Sequence, residues 1–161
     1  MAKNPLRSKR RDTAGIVQGL RRIVKALHTY SREVDRQFGL TGPQLWALKT
    51  LLREGPLSTG QLAEALAVHQ SSISLLLVRL EKRGMVRRVR DGRDRRVTRV
   101  ELSPKGANLA GRAPEAAQGR LLHGLDAMSN AEVQKLRRAV DRLVQAMEAT
   151  DVTAPFFFVD D

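Results

Sequence analysis

At Gly84 the apolar residues change their spacing, and that change limits the folds open to this chain. Before Gly84 they recur every three or four positions, as on a helix with one buried face. After it, Met85-Val86-Arg87-Arg88-Val89-Arg90 and Val97-Thr98-Arg99-Val100-Glu101-Leu102 alternate with a period of two and are rich in β-branched residues. The polar tip Asp91-Gly92-Arg93-Asp94 lies between them, so the pair reads as a hairpin. One short hairpin in an otherwise helical chain predicts a mainly α fold and excludes the alternating strand–helix architectures of nucleotide-binding sheets.

Three capping boxes outline the helices. Thr41-Gly-Pro-Gln44, Ser58-Thr-Gly-Gln61 and Ser129-Asn-Ala-Glu132 each set a hydroxyl three residues before Gln or Glu, and helical spacing follows each. They predict helices over about 42–53, 59–66 and 130–149, with Gly55-Pro56 separating the first two. Before them, Ile16, Leu20, Ile23, Val24, Leu27, Tyr30 and Val34 mark a long helix from Thr13 to near Gly39. A fourth helix runs over about 70–83. Ser103-Pro104 starts another that continues to about Met128, weakened or kinked by Gly111, Pro114 and Gly119.

The helix at 70–83 carries Ile73, Leu76, Leu77 and Leu80 on one stripe, which must face the protein. The opposite face holds Ser71, Ser74, Leu75, Val78 and Lys82, with Ser72 and Arg79 at its edges; Gln70, at the helix start, joins them as a candidate DNA contact. Small hydroxyls at a helix start let it approach a DNA groove closely, and Leu75 and Val78 suit thymine methyl groups. A short turn joins this helix to the preceding one, whose inward residues are Leu62, Ala63, Ala65 and Leu66. Helix, brief turn and helix is the helix-turn-helix arrangement, here followed by a wing. Ser58, Thr59 and Gln61, at the start of its first helix, are candidate phosphate contacts.

The charge points the same way. The chain has 161 residues, enough for one domain, and a net charge of +12. Between Arg79 and Arg99, ten basic and three acidic residues concentrate seven of those twelve charges on the hairpin and the helix before it. Arg88, Arg90, Arg93, Arg95 and Arg96 are the candidate wing contacts, with Asp94 orienting a neighbouring arginine. Arginine at a narrow hairpin tip suits the minor groove, where negative potential is focused.

Several function classes are excluded or left without support. There is no cysteine, hence no disulfide, thiolate catalysis or thiol-based sensing. His28, His69 and His123 have no metal-ligand spacing, and there is no nucleophile motif or phosphate loop, so an enzyme is not expected. No cofactor is implied. Residues 1–12, with Lys3, Arg7, Lys9, Arg10 and Arg11 and no apolar run behind them, read as a disordered basic arm rather than a secretion signal. No stretch reaches the ~18 apolar residues of a membrane span, so a cytoplasmic protein without a membrane partner is expected.

In their order and spacing, Leu40-Thr-Gly-Pro-Gln44-Leu-Trp46, Gln61-Leu-Ala63, Ser71-Ser-Ile-Ser74, Leu80-Glu-Lys-Arg-Gly84-Met-Val86, Asp94-Arg-Arg96 and Val100-Glu-Leu-Ser-Pro-Lys-Gly106 resemble the MarR family of bacterial transcription regulators. The resemblance spans roughly residues 13–148. It implies a dimeric winged helix-turn-helix repressor, often released from DNA by a small aromatic or phenolic ligand. The family's basic wing-tip residues fall on Arg95 and Arg96 and its wing aspartate on Asp94. Leu75 departs from the pattern, standing where a basic residue often follows the hydroxyl pair.

The organisation expected is therefore a basic arm (1–12), a dimerisation helix (13–39), a winged helix-turn-helix region (40–102), further dimerisation helices (103–150) and a tail (151–161). In the last helix Val133, Leu136, Val140, Leu143 and Met147 form a seam for a partner helix. Ile16 and Leu20 join it in the expected homodimer interface, and Phe156, Phe157 and Phe158 are expected to tuck against the other subunit. His28, Arg32 and Trp46 are the candidate ligand pocket. A non-specific architectural DNA binder is the alternative to a sequence-specific regulator of duplex DNA.

Overall fold

The computed structural model describes residues 5–90 and 97–152. Seven helices and three strands follow in the order α1 (Pro5–Phe38), α2 (Gly42–Glu54), β1 (Leu57–Ser58), α3 (Thr59–Ala65), α4 (Gln70–Lys82), β2 (Val86–Arg90), β3 (Thr98–Leu102), α5 (Pro104–Arg112), α6 (Ala117–Asp126) and α7 (Asn130–Ala146) among the described residues. All three capping boxes form, at Thr41, Ser58 and Ser129, each with both reciprocal hydrogen bonds. They satisfy N–H groups that a helix start leaves without partners.

Three boundaries differ from the sequence expectation. First, α1 begins at Pro5, so residues 5–12 of the expected disordered arm are helical. Lys and Arg are good helix formers, and Thr13 Oγ1 donates to the Lys9 carbonyl at 2.9 Å. Second, the helix expected over 104–128 is two helices. Ala113 is extended (φ −75°, ψ 151°), the conformation forced on a residue before proline, here Pro114. Third, β1 had no sequence signal. It adds to the hairpin in the order β1-β3-β2, pairing Leu57 with Val100 and Ser58 with Arg99.

The core sits around α2, which buries Leu45, Trp46, Ala47, Leu48 and Leu51. Val34 and Leu40 reach it from the end of α1, Leu62 and Leu66 from α3, Ile73, Leu77 and Leu80 from α4, and Val100 from β3. Ala65, expected to face inward, is only half-buried. The N-terminal half of α1 and all of α7 lie outside this core. Ile16, Leu20, Ile23 and Val24 on α1 are exposed, as are Leu136, Val140, Leu143 and Met147 on α7, which has no buried residue. Among the described residues no helix is long and apolar enough to cross a membrane.

Candidate nucleic-acid interface

α3 and α4 are joined by a turn in which Ala67 adopts a left-handed conformation (φ 52°), while the Val68 N–H returns to the Ala63 carbonyl at 3.0 Å. This turn fixes α4 across the end of α3. Its inward stripe is the one the sequence marks: Ile73, Leu76, Leu77 and Leu80 are buried. The outward face carries exposed Gln70, Ser71, Ser74, Arg79 and Lys82, with Ser72 half-buried at its edge. Leu75 is 57% exposed and Val78 41%, two apolar side chains on the face turned away from the core. The Ser74 hydroxyl donates to the Gln70 carbonyl at 3.0 Å, so towards an outside ligand its oxygen is an acceptor.

At the start of α3, Ser58 and Gln61 are occupied with each other. Ser58 Oγ accepts from the Gln61 N–H (3.2 Å), and Gln61 Oε1 accepts from the Ser58 N–H (3.0 Å). Arg99 of β3 reaches the same turn, donating to the Pro56 carbonyl and to Gln61 Oε1, each at 3.4 Å. Their role here is to hold the helix start. What remains for an outside anion is half-buried Thr59 and the amide nitrogen of exposed Gln61.

The wing is braced by ion pairs. Arg88 Nε lies 2.9 Å from Glu81 Oε1 on α4, and Arg87 pairs with Glu101 across the two strands. Exposed pairs of this kind stabilise by only about 0–1 kcal/mol, so their effect is mainly to set direction. Arg88 therefore links the wing to α4, while Arg90 is exposed. The tip residues Arg93, Asp94, Arg95 and Arg96 lie outside the described residues.

A second set of braces seats the wing on the body, and sequence reasoning missed it. Ser103 Oγ donates to the Gly84 carbonyl (2.7 Å) and the Ser103 N–H to the Met85 carbonyl (2.9 Å). Lys105 Nζ donates to the Arg83 carbonyl at 2.9 Å, and the Arg83 side chain donates to the Gly39 carbonyl. Beneath them Gly106 is packed so closely that a Cβ there would lie 2.0 Å from the Met85 carbonyl oxygen. The run Ser103-Pro-Lys-Gly106 carried the signal.

His28 and Arg32 line a depression of about 660 Å³ on α1. Trp46 is 6% exposed in the core, where its indole nitrogen would lie 3.7 Å from a Cβ on Gly119. Nearby, the Tyr30 hydroxyl donates to the Pro114 carbonyl at 3.2 Å. Burial, with Glu115 adding to it, pushes the Tyr30 phenol up to about 12, so it stays protonated. Gln118, 2% exposed, has no protein partner for either amide atom among the described residues, and nothing in the sequence singled it out.

A model of the MarR family matches residues 38–97, from the end of α1 through the wing. The structure of a MarR family protein from Bacillus stearothermophilus is 32% identical to this chain, covering 91% of it and 99% of that protein, with a TM-score of 0.55. The chain belongs to the MarR family. This MarR-family chain is also 27% identical over 135 residues to the HTH-type transcriptional regulator YsmB of Bacillus subtilis, covering 84% of its own length and 92% of that protein. The S. aureus MepR–DNA complex is 18% identical over 84% of this chain and 97% of that protein (TM-score 0.54), a likeness of fold. The mainly helical fold with a three-stranded winged sheet is the family's.

Proposed function

We propose that this MarR-family chain is a sequence-specific regulator of duplex DNA, a cytoplasmic homodimeric repressor that occupies a pseudo-palindromic operator. The observation that carries the reading is the outward face of α4, which sets hydroxyls beside exposed Leu75 and Val78, next to an arginine-rich wing. Positive charge alone would serve any polyanion; an apolar pair among hydroxyls on a helix of this length suits base edges and thymine methyls in a major groove. Arg79, Lys82 and Arg90 are placed for phosphates. The tip arginines Arg93, Arg95 and Arg96 are assigned to the minor groove, with Asp94 orienting them.

The dimer is inferred from the same accounting of surface. Val133 is half-buried, and Leu136, Val140, Leu143 and Met147 are exposed along one side of α7; Ile16 and Leu20 are exposed on α1. Two apolar helix faces left uncovered by their own subunit are covered by a second copy. A two-fold dimer then offers two α4 helices to half-sites about one DNA turn apart. Release by a small aromatic or phenolic ligand is a second level of this reading. Its support is the α1 depression at His28 and Arg32, lined by both apolar and cationic side chains.

Site selection from random duplexes, followed by competition against random DNA, tests the reading. A regulator binds its selected palindrome roughly 10³-fold or more tighter than the competitor. Equal affinity for all duplexes, with a steep salt dependence, would make it an architectural DNA binder instead.

A further inference from the structure

α1 carries two distinct outer surfaces. At about 100° per residue, exposed Ile16, Leu20 and Ile23 fall within about 60° of one another and form one stripe. Val17 and Val24 lie about 80–100° round the helix from Ile16, and Arg21, Lys25 and Arg32 further on, at about 140–180°. The depression of about 660 Å³ follows this second sector. Its apolar lining is Val17, Val24 and Leu20, the last shared with the first stripe, and its cationic lining is Arg21, Lys25 and Arg32, with His28 beside them. A helix laid along the first stripe satisfies apolar surface there and leaves the second sector, with its three cations, still to be matched.

The chain contains one segment with the complementary order of chemistry. Residues 153–161 carry Phe156, Phe157 and Phe158, then, after Val159, Asp160 and Asp161. We propose that this segment docks in the α1 depression of the partner subunit, phenylalanines on its valine and leucine side chains and aspartates against its cations. The inference rests on the dimer reading above. Each aromatic side chain buries roughly 150–250 Å², so three adjacent ones are costly to leave in water. The nine residues after Val152 can span up to about 30 Å when extended, enough to cross a helix face. The partner is the recipient because α7, which leads into the segment, has no buried residue in its own subunit. The two aspartates also offset like charges crowded on α1 at Arg21, Arg22 and Lys25. A docked segment competes with any aromatic anion for the same depression, so it also sets the threshold for such a ligand.

The absence of cysteine makes the test clean. In the full chain, Val24→Cys is combined with Phe157→Cys and oxidised with copper–phenanthroline in air, with Leu52→Cys/Phe157→Cys as the control, Leu52 being exposed on α2. The expected result is a disulfide-linked dimer that forms much faster than in the control. Asp160→Lys with Asp161→Lys should slow the link several-fold, and Arg21→Glu with Lys25→Glu in that background should restore it. A dimer by sedimentation that links no faster than the control would mean that the second copy's helices cover the depression, and would overturn the proposal. A link closed within one chain would overturn it as well. A monomeric parent in sedimentation would instead fail the dimer reading, and this proposal with it.

Discussion

Gly106→Ala should separate the seat of the wing from the rest of the fold. A Cβ at Gly106 would lie 2.0 Å from the Met85 carbonyl oxygen, 2.9 Å from its carbon and 3.3 Å from its Cα. All three are backbone atoms, so no side chain can swing aside. Real contacts of this kind begin near 3.0 Å, and the start of α5 must therefore move from β2 by about 1 Å. The same shift stretches the 2.9 Å hydrogen bond from the Ser103 N–H to the Met85 carbonyl beyond bonding range. Overpacking costs about 1–3 kcal/mol and the lost bond about 0.5–1.5 kcal/mol. Alanine's better helix propensity returns up to ~1 kcal/mol. At the middle of these ranges the net loss is about 2.5 kcal/mol, or roughly 5–10 °C in melting temperature for a chain of this size. Gly111→Ala is the control, since a Cβ there meets nothing within 4 Å in the same helix. It should leave stability unchanged or raise it. Calorimetry on both variants decides, with operator affinity expected to fall for Gly106→Ala as the wing is displaced. Equal melting temperatures for the two variants would refute the argument.

Other outcomes follow from the same geometry. Tyr30 is the chain's one tyrosine, so absorbance near 295 nm reports it alone, and its folded-state midpoint should lie about 12 against ~10 when unfolded. Because the folded state holds that proton more tightly, the stability it contributes is present below pH ~10 and is lost as pH rises through the folded value; a native midpoint near 10 would contradict the burial of Tyr30. Leu75→Ala and Val78→Ala should leave the melting temperature within about 1 °C while weakening discrimination among A·T-containing operators, because both side chains are exposed. Competition binding against operators with uracil in place of thymine checks this: a variant that still prefers thymine would refute the methyl contact. Arg90→Ala should lower the slope of log affinity against log salt by about 1 without changing sequence preference. Leu136→Asp with Val140→Asp should shift sedimentation to the monomer, and a persisting dimer would remove α7 from the interface.

Much of the fold was legible because its helices announce themselves twice, by apolar spacing and by caps. The boxes at Thr41, Ser58 and Ser129 and the buried stripe of α4 are where the sequence puts them. Pro114 was legible as a weakness, but that it splits the helix outright depends on Ala113 being forced into an extended conformation. A strand of two residues such as β1 has no period to read; only its pairing with β3 creates it. Charge at Lys9, Arg10 and Arg11 suggested a disordered arm, yet the same residues propagate α1 once the chain after them is helical. In the site, the outward face of α4 follows from angle alone. The pairing of Arg88 with Glu81 and the seating of Met85 on Gly106 are contacts between separate elements that no local pattern encodes. That Trp46 is buried in the core while His28 lines the depression on α1 likewise depends on packing that helical spacing alone does not give.

The central claim is that a two-fold dimer reads two half-sites with its α4 helices, and an operator spacer series tests it most directly. Quantitative gel shifts would compare the selected palindrome with versions carrying 5 and 10 inserted base pairs between the half-sites. With ~10–10.5 base pairs per turn, five added pairs turn one half-site to the far side of the duplex. The account predicts that this insertion reduces affinity to that of a single half-site. Affinity undiminished by the half-turn insertion would contradict it.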